Sequence, residues 1–140
     1  MNTNAVCTAV AAKAVGIAGV RGASSVVPET IPAAPWVIVG SHSATSGGGT
    51  MGRRRIDYTF PLRCYVERTA DAGRTETMVN DLVDAFVNAY EAGINYGGTA
   101  TEGRITSWNT DLYASIGGSD YQVIEFSLSM RVDESSNFSP

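Results

Sequence analysis

The sequence predicts an α+β domain: a largely antiparallel sheet with two main helices packed on one face. Three observations carry this expectation. Through positions 52–68, Ile56, Tyr58, Phe60, Leu62, Cys64 and Val66 occupy the even places, and all but two of the odd places from 57 to 67 are polar. Alternation with period two sustained this long describes a strand with one face in a core. An amphipathic helical pattern follows it directly. Two further alternating runs around Gly117-Gly118 then read as a long β-hairpin.

In chain order, Thr3 or Asn4 can cap a helix running to about Gly16, with Val6, Ala9, Val10, Ala14 and Ile17 on one stripe at spacings of three and four. Its small Ala-rich surface suits close packing on a sheet. Residues 21–35 carry three prolines and few charges, so they read as an extended crossing segment with a short strand at 24–27. The apolar run 36–40 is too short for an ordinary helix and is expected to be a strand. Residues 41–52, SHSATSGGGTMG, read as a long, mobile hairpin tip, because glycines and hydroxyl residues bury too little apolar surface to offset ordering.

After the long strand, a turn over 69–74 leads to a helix over 75–92. Met78, Leu82, Ala85, Phe86, Ala89 and Gly93 mark its apolar stripe, widened by Val79, Val83 and Tyr90, with Gly93 as the stop. In the strand 104–116, Thr106, Trp108, Thr110, Leu112, Ala114 and Ile116 share one side. In the strand 121–132, Ile124, Phe126, Leu128, Met130 and Val132 point inward. Phe60, Leu82, Phe126 and Leu128 are expected to meet between sheet and helix. Residues 133–140 are polar and read as a tail, and residues 1–140 as one domain without an internal repeat.

The formal net charge of −4 argues against an autonomous nucleic-acid binder, which usually shows a basic domain or stripe. Cys7 falls on the first helix and Cys64 on the apolar face of the long strand, where each reads as a small hydrophobe rather than half of a disulfide framework. The Ala/Val-rich N-terminal segment has no basic n-region, and Thr8, Lys13 and several glycines interrupt it, so it does not read as a signal peptide. No apolar run approaches the roughly 20 residues of a membrane span. The expected setting is a cytoplasm.

Catalytic signatures do not emerge from the spacing. His42 has no Cys, Asp or Glu within four residues, whereas a zinc site needs three or four converging ligands. Gly47-Gly48-Gly49 lacks the lysine of a phosphate loop, and no nucleophile elbow or dinucleotide fingerprint occurs. Asp81 and Asp84 belong to the polar side of a helix, and Ser24-Ser25 and Thr45-Ser46 have no base nearby in sequence. No enzyme activity is expected. Arg53-Arg54-Arg55 is the one concentrated charge. Arg53 and Arg55 are expected outward with Asp57, either to meet an acidic partner or DNA, or to guard a strand edge against stray pairing. Thr59, Arg63, Tyr65 and Glu67 give the long strand a second face suited to a polar contact between subunits.

The Ala-rich first helix, VPETIPAAPWVIVG, the Gly-rich loop, MGRRRIDYTFPLRCYVER, the helix TETMVNDLVDAFVNAY and the final hairpin together resemble a known family over most of the chain. It is the tail terminator (tail completion, or head–tail joining) family of long-tailed bacteriophages. PAAPWVIVG, and RRRIDYTFPLRCYV with the charged turn and acidic helix after it, carry the resemblance. It implies a structural virion protein, assembled in the host cytoplasm, that forms a ring, commonly of six subunits, at the head-proximal end of the tail tube. Such a ring ends tail growth and joins tail to head. The implied partners are further copies of the chain, the major tail tube protein and the head connector or neck protein, with DNA passing through the lumen without sequence-specific binding. No cofactor and no membrane are implied. The residues expected at such interfaces are His42, Gly48, Met51, Arg53 and Arg55 around the loop, and Arg63, Tyr65 and Glu67 on the strand. Another ring of the neck or tail tube is the alternative, followed by a small ligand-binding or adaptor domain, and then by an enzyme whose site is built from loop residues.

Overall fold

A computed structural model describes residues 3–48, 53–68, 71–92 and 102–135. In chain order the elements are α1 (Thr3–Val15), β1 (Gly22–Ser24), β2 (Trp36–Val39), β3 (Ser43–Gly48), β4 (Arg53–Glu67), α2 (Ala72–Ala92), β5 (Glu102–Ile116) and β6 (Ser119–Ser135). The fold is α+β, with both helices packed on a six-stranded, mostly antiparallel sheet. The strand order is β1-β2-β4-β6-β5, and β3 also pairs with β4. Among the described residues, only β1 and β2 run parallel.

The alternation read along β4 is borne out: Ile56, Tyr58, Phe60, Leu62, Cys64 and Val66 are all buried on the helix side. Its neighbour β6 contributes Ile124, Phe126, Leu128, Met130 and Val132 to the same core. Val6, Val10, Ala14 and Ile17 seat α1, while Val79, Leu82, Val83, Phe86 and Tyr90 seat α2. Phe86 stacks on Phe126 with centroids 4.4 Å apart and planes 10° apart. The Tyr90 hydroxyl donates to the Val10 carbonyl at 3.1 Å, tying the helices together while satisfying a buried phenol. At Gly117 and Gly118 φ is +60° and +82°, the sign that a tight two-residue hairpin turn requires at both central positions.

Several boundaries and faces differ from the sequence reading. The helix α2 begins at Ala72 rather than near 75, because the Asp71 carboxylate caps it by accepting the Arg74 N–H at 3.2 Å. The short first strand lies at Gly22–Ser24, under the Trp36 indole. A Cβ on Gly22 would overlap that ring, and Val26 and Val27 are left exposed. The expected loop 41–52 is a strand over Ser43–Gly48, paired with β4 from Thr59 to Arg54. Main-chain hydrogen bonds hold a segment that has few apolar side chains to bury. Residues 49–52 lie outside the described residues, as does Gly93. The expected tail is strand through Ser135, since 133–135 pair with Arg55, Arg54 and Arg53; 136–140 lie outside the description.

The largest difference is on β5. Its pairing with β6 slips between Ile105 and Ser107 and again between Asn109 and Leu112. These irregularities break the alternation, since an inserted residue turns the following side chains over. Thr106 is therefore exposed and Trp108 half-exposed, whereas Leu112, Ala114 and Ile116 pack with a second apolar cluster. That cluster lies on the sheet's far side and centres on Ile38, Tyr65, Tyr121 and Val123.

Candidate interaction surface

The sheet has one face under helices and another divided in two. At the end nearest the β5–β6 turn, the segment between β1 and β2 folds over the far face. Ile31 and Ala34 of that segment, with Trp36 at the start of β2, pack against the cluster that holds Tyr65 and Tyr121, whose rings meet edge to face at 6.2 Å. A Cβ on Gly117 would lie 2.6 Å from Thr30 and 3.0 Å from the Glu29 carbonyl, so the crossing segment rests directly on the turn. The extended crossing read from the prolines is thus a cover.

Beyond this cover the far face is polar and open. Going down β4, Arg63 lies opposite Glu125, Pro61 opposite Ser127, Thr59 opposite Ser129, Asp57 opposite Arg131 and Arg55 opposite Asp133. Arg63 Nε donates to Glu125 Oε2 at 2.9 Å, and Arg131 Nε to Asp57 Oδ1 at 3.3 Å. The Glu125 hydrogen bond holds the Arg63 guanidinium above its ordinary pKa, against the smaller effect of partial burial. With Arg63 and Glu125 side chains 53 % and 40 % exposed, that pair contributes about 0–1 kcal/mol to folding. Its more useful property is a fixed geometry. Beside it runs a groove of about 370 Å³ lined by Ser43, Thr59, Pro61, Ser107, Glu125 and Ser127, among others.

Among the described residues, β3 pairs only with β4, and β5 only with β6. Each leaves one edge of backbone donors and acceptors without a strand neighbour, which is where another chain can add. Hydroxyl side chains, fixed charges and open edges suit recognition of a polar protein surface. Among the described residues no group of three or more His, Cys, Asp or Glu could hold a metal ion. No helix of the described residues is long and apolar enough to cross a membrane.

The residues expected at an interface separate into distinct places. Arg55 and Arg63 lie exposed on the open face, and Glu67 is exposed at the end of β4. Arg53 is placed by its backbone opposite Ser135, and Gly48 pairs with Arg54 at the far end of β3. Met51 lies outside the described residues. Tyr65 is a correction: it is 4 % exposed beneath the crossing segment and belongs to the second core.

His42 is the other correction. Rather than extending from a loop, it is half-buried on the helix face, its ring 5.3 Å from Tyr58 and 5.6 Å from Phe60. A bulge puts it there. Val39 pairs with Leu62 and Ser43 with Thr59, so 40, 41 and 42 oppose only 60 and 61. Gly40 donates its N–H to the Pro61 carbonyl at 2.8 Å, and a Cβ on Gly40 would strike the Pro61 ring at 2.7 Å. Sequence reading missed Glu125 and Arg131 as partners of the β4 charges. Their alternating positions on β6 were visible, but the register that pairs them was not.

No protein-family model matches the chain, and no curated protein does.

Proposed function

We propose that the chain is a structural ring subunit of a long-tailed phage, placed where tail meets head, as a tail terminator protein is. The observation that carries this reading is the open half of the sheet: a polar face of cross-strand charge pairs flanked by two strands with open edges. The resemblance of PAAPWVIVG and RRRIDYTFPLRCYV to that family supplies the rest. A surface of this kind recognises protein by main-chain pairing and matched charge. Heterologous contacts of one patch with a different patch repeat until the rotation closes, giving a ring. Arg53 and Arg55, at the start of β4, would meet carboxylates of the next ring, and the β3–β4 hairpin would supply reach.

Mass photometry of the purified chain, alone and with tail tube protein, tests the assembly. The expected result is a closed species of several subunits. A monomer under both conditions at micromolar concentration overturns the ring. Deletion of 46–50, and separately Arg53→Glu with Arg55→Glu, should leave the domain folded and reduce joining of tails to filled heads, and rising salt should narrow the gap between wild type and the charge-reversed variant. Full joining by both folded variants would remove the hairpin and its arginines from the mechanism.

A further inference from the structure

The fold brings together two residues that lie 35 positions apart, on the helix side of the sheet and away from its open face: Cys7 Sγ stands 3.8 Å from His42 Nδ1. We propose that Cys7 is a reactive thiol with His42 as its proton acceptor, forming a modification site for small soft electrophiles, small-molecule disulfides in particular.

Three features support this. The distance is a sulfur hydrogen bond, and a nucleophile within such reach of an imidazole is the arrangement that activates cysteine. The imidazole is held in place by the rings of Tyr58 and Phe60, so Nδ1 is directed toward α1 without relying on a flexible side chain. Both residues are half-buried rather than sealed, so a small reagent can reach the sulfur. The titratable groups that face His42 are Cys7 from α1 and Tyr58 from β4.

The second cysteine supplies a contrast within the same molecule. Cys64 is fully buried in the core, where burial pushes its thiol up to about 12 and hides it from reagents. One cysteine is placed for chemistry and the other for packing.

The pair has no third side chain hydrogen-bonded to the imidazole among the described residues, so the reaction it fits needs only a thiolate and a good leaving group. In exchange with a disulfide, the His42 ring nitrogen takes the Sγ proton as the Cys7 sulfur attacks one sulfur of the reagent. The reagent's S–S bond breaks, its electron pair departs on the second sulfur, and that thiolate takes the proton from the imidazolium. Cys7 is left as a mixed disulfide, and one small thiol is released.

The test uses the full chain with 5,5′-dithiobis(2-nitrobenzoate), following released thiolate by absorbance and the labelled residue by intact mass. Wild type should show one fast thiol and one slow one. Cys7→Ser should abolish the fast phase, and Cys64→Ser should keep it. His42→Phe, which retains a ring against Tyr58 and Phe60, should slow Cys7 by about tenfold or more at pH 7. The difference should shrink as pH rises and hydroxide takes over removal of the proton. Circular dichroism separates this from unfolding, which would speed Cys64 as well. If His42→Phe does not fold, a half-buried control on the same helix decides: Ala11→Cys in the Cys7→Ser background should react several-fold more slowly than Cys7. Equal rates for that control and Cys7, or a folded His42→Phe with an unchanged pH profile, overturn the proposal.

Discussion

Truncation of Phe126 to Ala tests the arrangement on which the rest of the molecule depends, the apposition of α2 and β6. Phe126 is 1 % exposed, sits in the strand between β4 and β5, and stacks face to face on Phe86 at 4.4 Å. Removing the ring takes roughly 150 Å² of apolar surface out of the interior, which at about 25 cal/mol per Å² is about 4 kcal/mol. That lies within the ~3–5 kcal/mol seen for buried Phe to Ala. Domains of this kind are stable by only about 5–15 kcal/mol, so the variant should unfold at much lower urea. Urea titration followed by circular dichroism measures it, as a fall in midpoint at unchanged slope. Phe86→Ala, combined in a double-mutant cycle, should return a coupling of about 0.5–1.5 kcal/mol for the stacked pair. Trp108→Ala, at a residue 50 % exposed on β5, should cost less than about 1 kcal/mol. A loss under about 1 kcal/mol at Phe126, or one no greater than at Trp108, would refute the assigned face of β6.

Two further perturbations address other parts of the fold. Gly40→Ala places a Cβ 2.7 Å from the Pro61 ring and 3.1 Å from its carbonyl oxygen, and should cost about 1–3 kcal/mol. A thermal melt should show the loss, with partial recovery in the Gly40→Ala, Pro61→Ala double variant; a wild-type melting temperature for Gly40→Ala would refute the close approach. The second follows from Cys64, whose thiol burial raises from 9.0 to about 12. Between those values the native state keeps a proton that the unfolded chain has lost, so stability is intact below pH 9 and falls as pH rises. The slope is about 1.4 kcal/mol per pH unit. Urea midpoints across that range should decline less steeply in Cys64→Ala than in wild type, and parallel declines would refute the assignment.

How legible each element was depended on whether its determinants were local. The stripe from Val6 to Ile17 and the alternations along β4 and β6 each specify a face within a few residues, and each places its side chains in the core as read. The start of α2 is set by the Asp71 cap, three residues ahead of where the helix was expected, and its first turn carries Gly73, a poor helix former. Tyr65 looked like surface because its neighbours Arg63 and Glu67 are charged. What covers it comes from Ile31, Ala34 and Trp36, about thirty residues earlier along the chain. The strand Ser43–Gly48 was hidden for a different reason: strand pairing acts through the backbone, and a composition of Ser, Thr and Gly describes only side chains.

The same distinction explains the corrected position of His42. Pro61 interrupts an otherwise regular strand by removing an N–H, and a proline inside a sheet is accommodated at an edge or a bulge. Here Gly40 lies against its ring, and the one extra residue reverses the alternation between Val39 and Ser43. Had the register continued unbroken, the odd positions that bury Val37 and Val39 would also have carried Ser41 and Ser43 to the helix face, and His42 would point to the open side. The bulge turns the imidazole inward, over Tyr58 and Phe60 and onto Cys7. One inserted residue therefore separates the molecule's two surfaces of interest: hydroxyls and paired charges remain on the open face, and the histidine joins the thiol beneath α1.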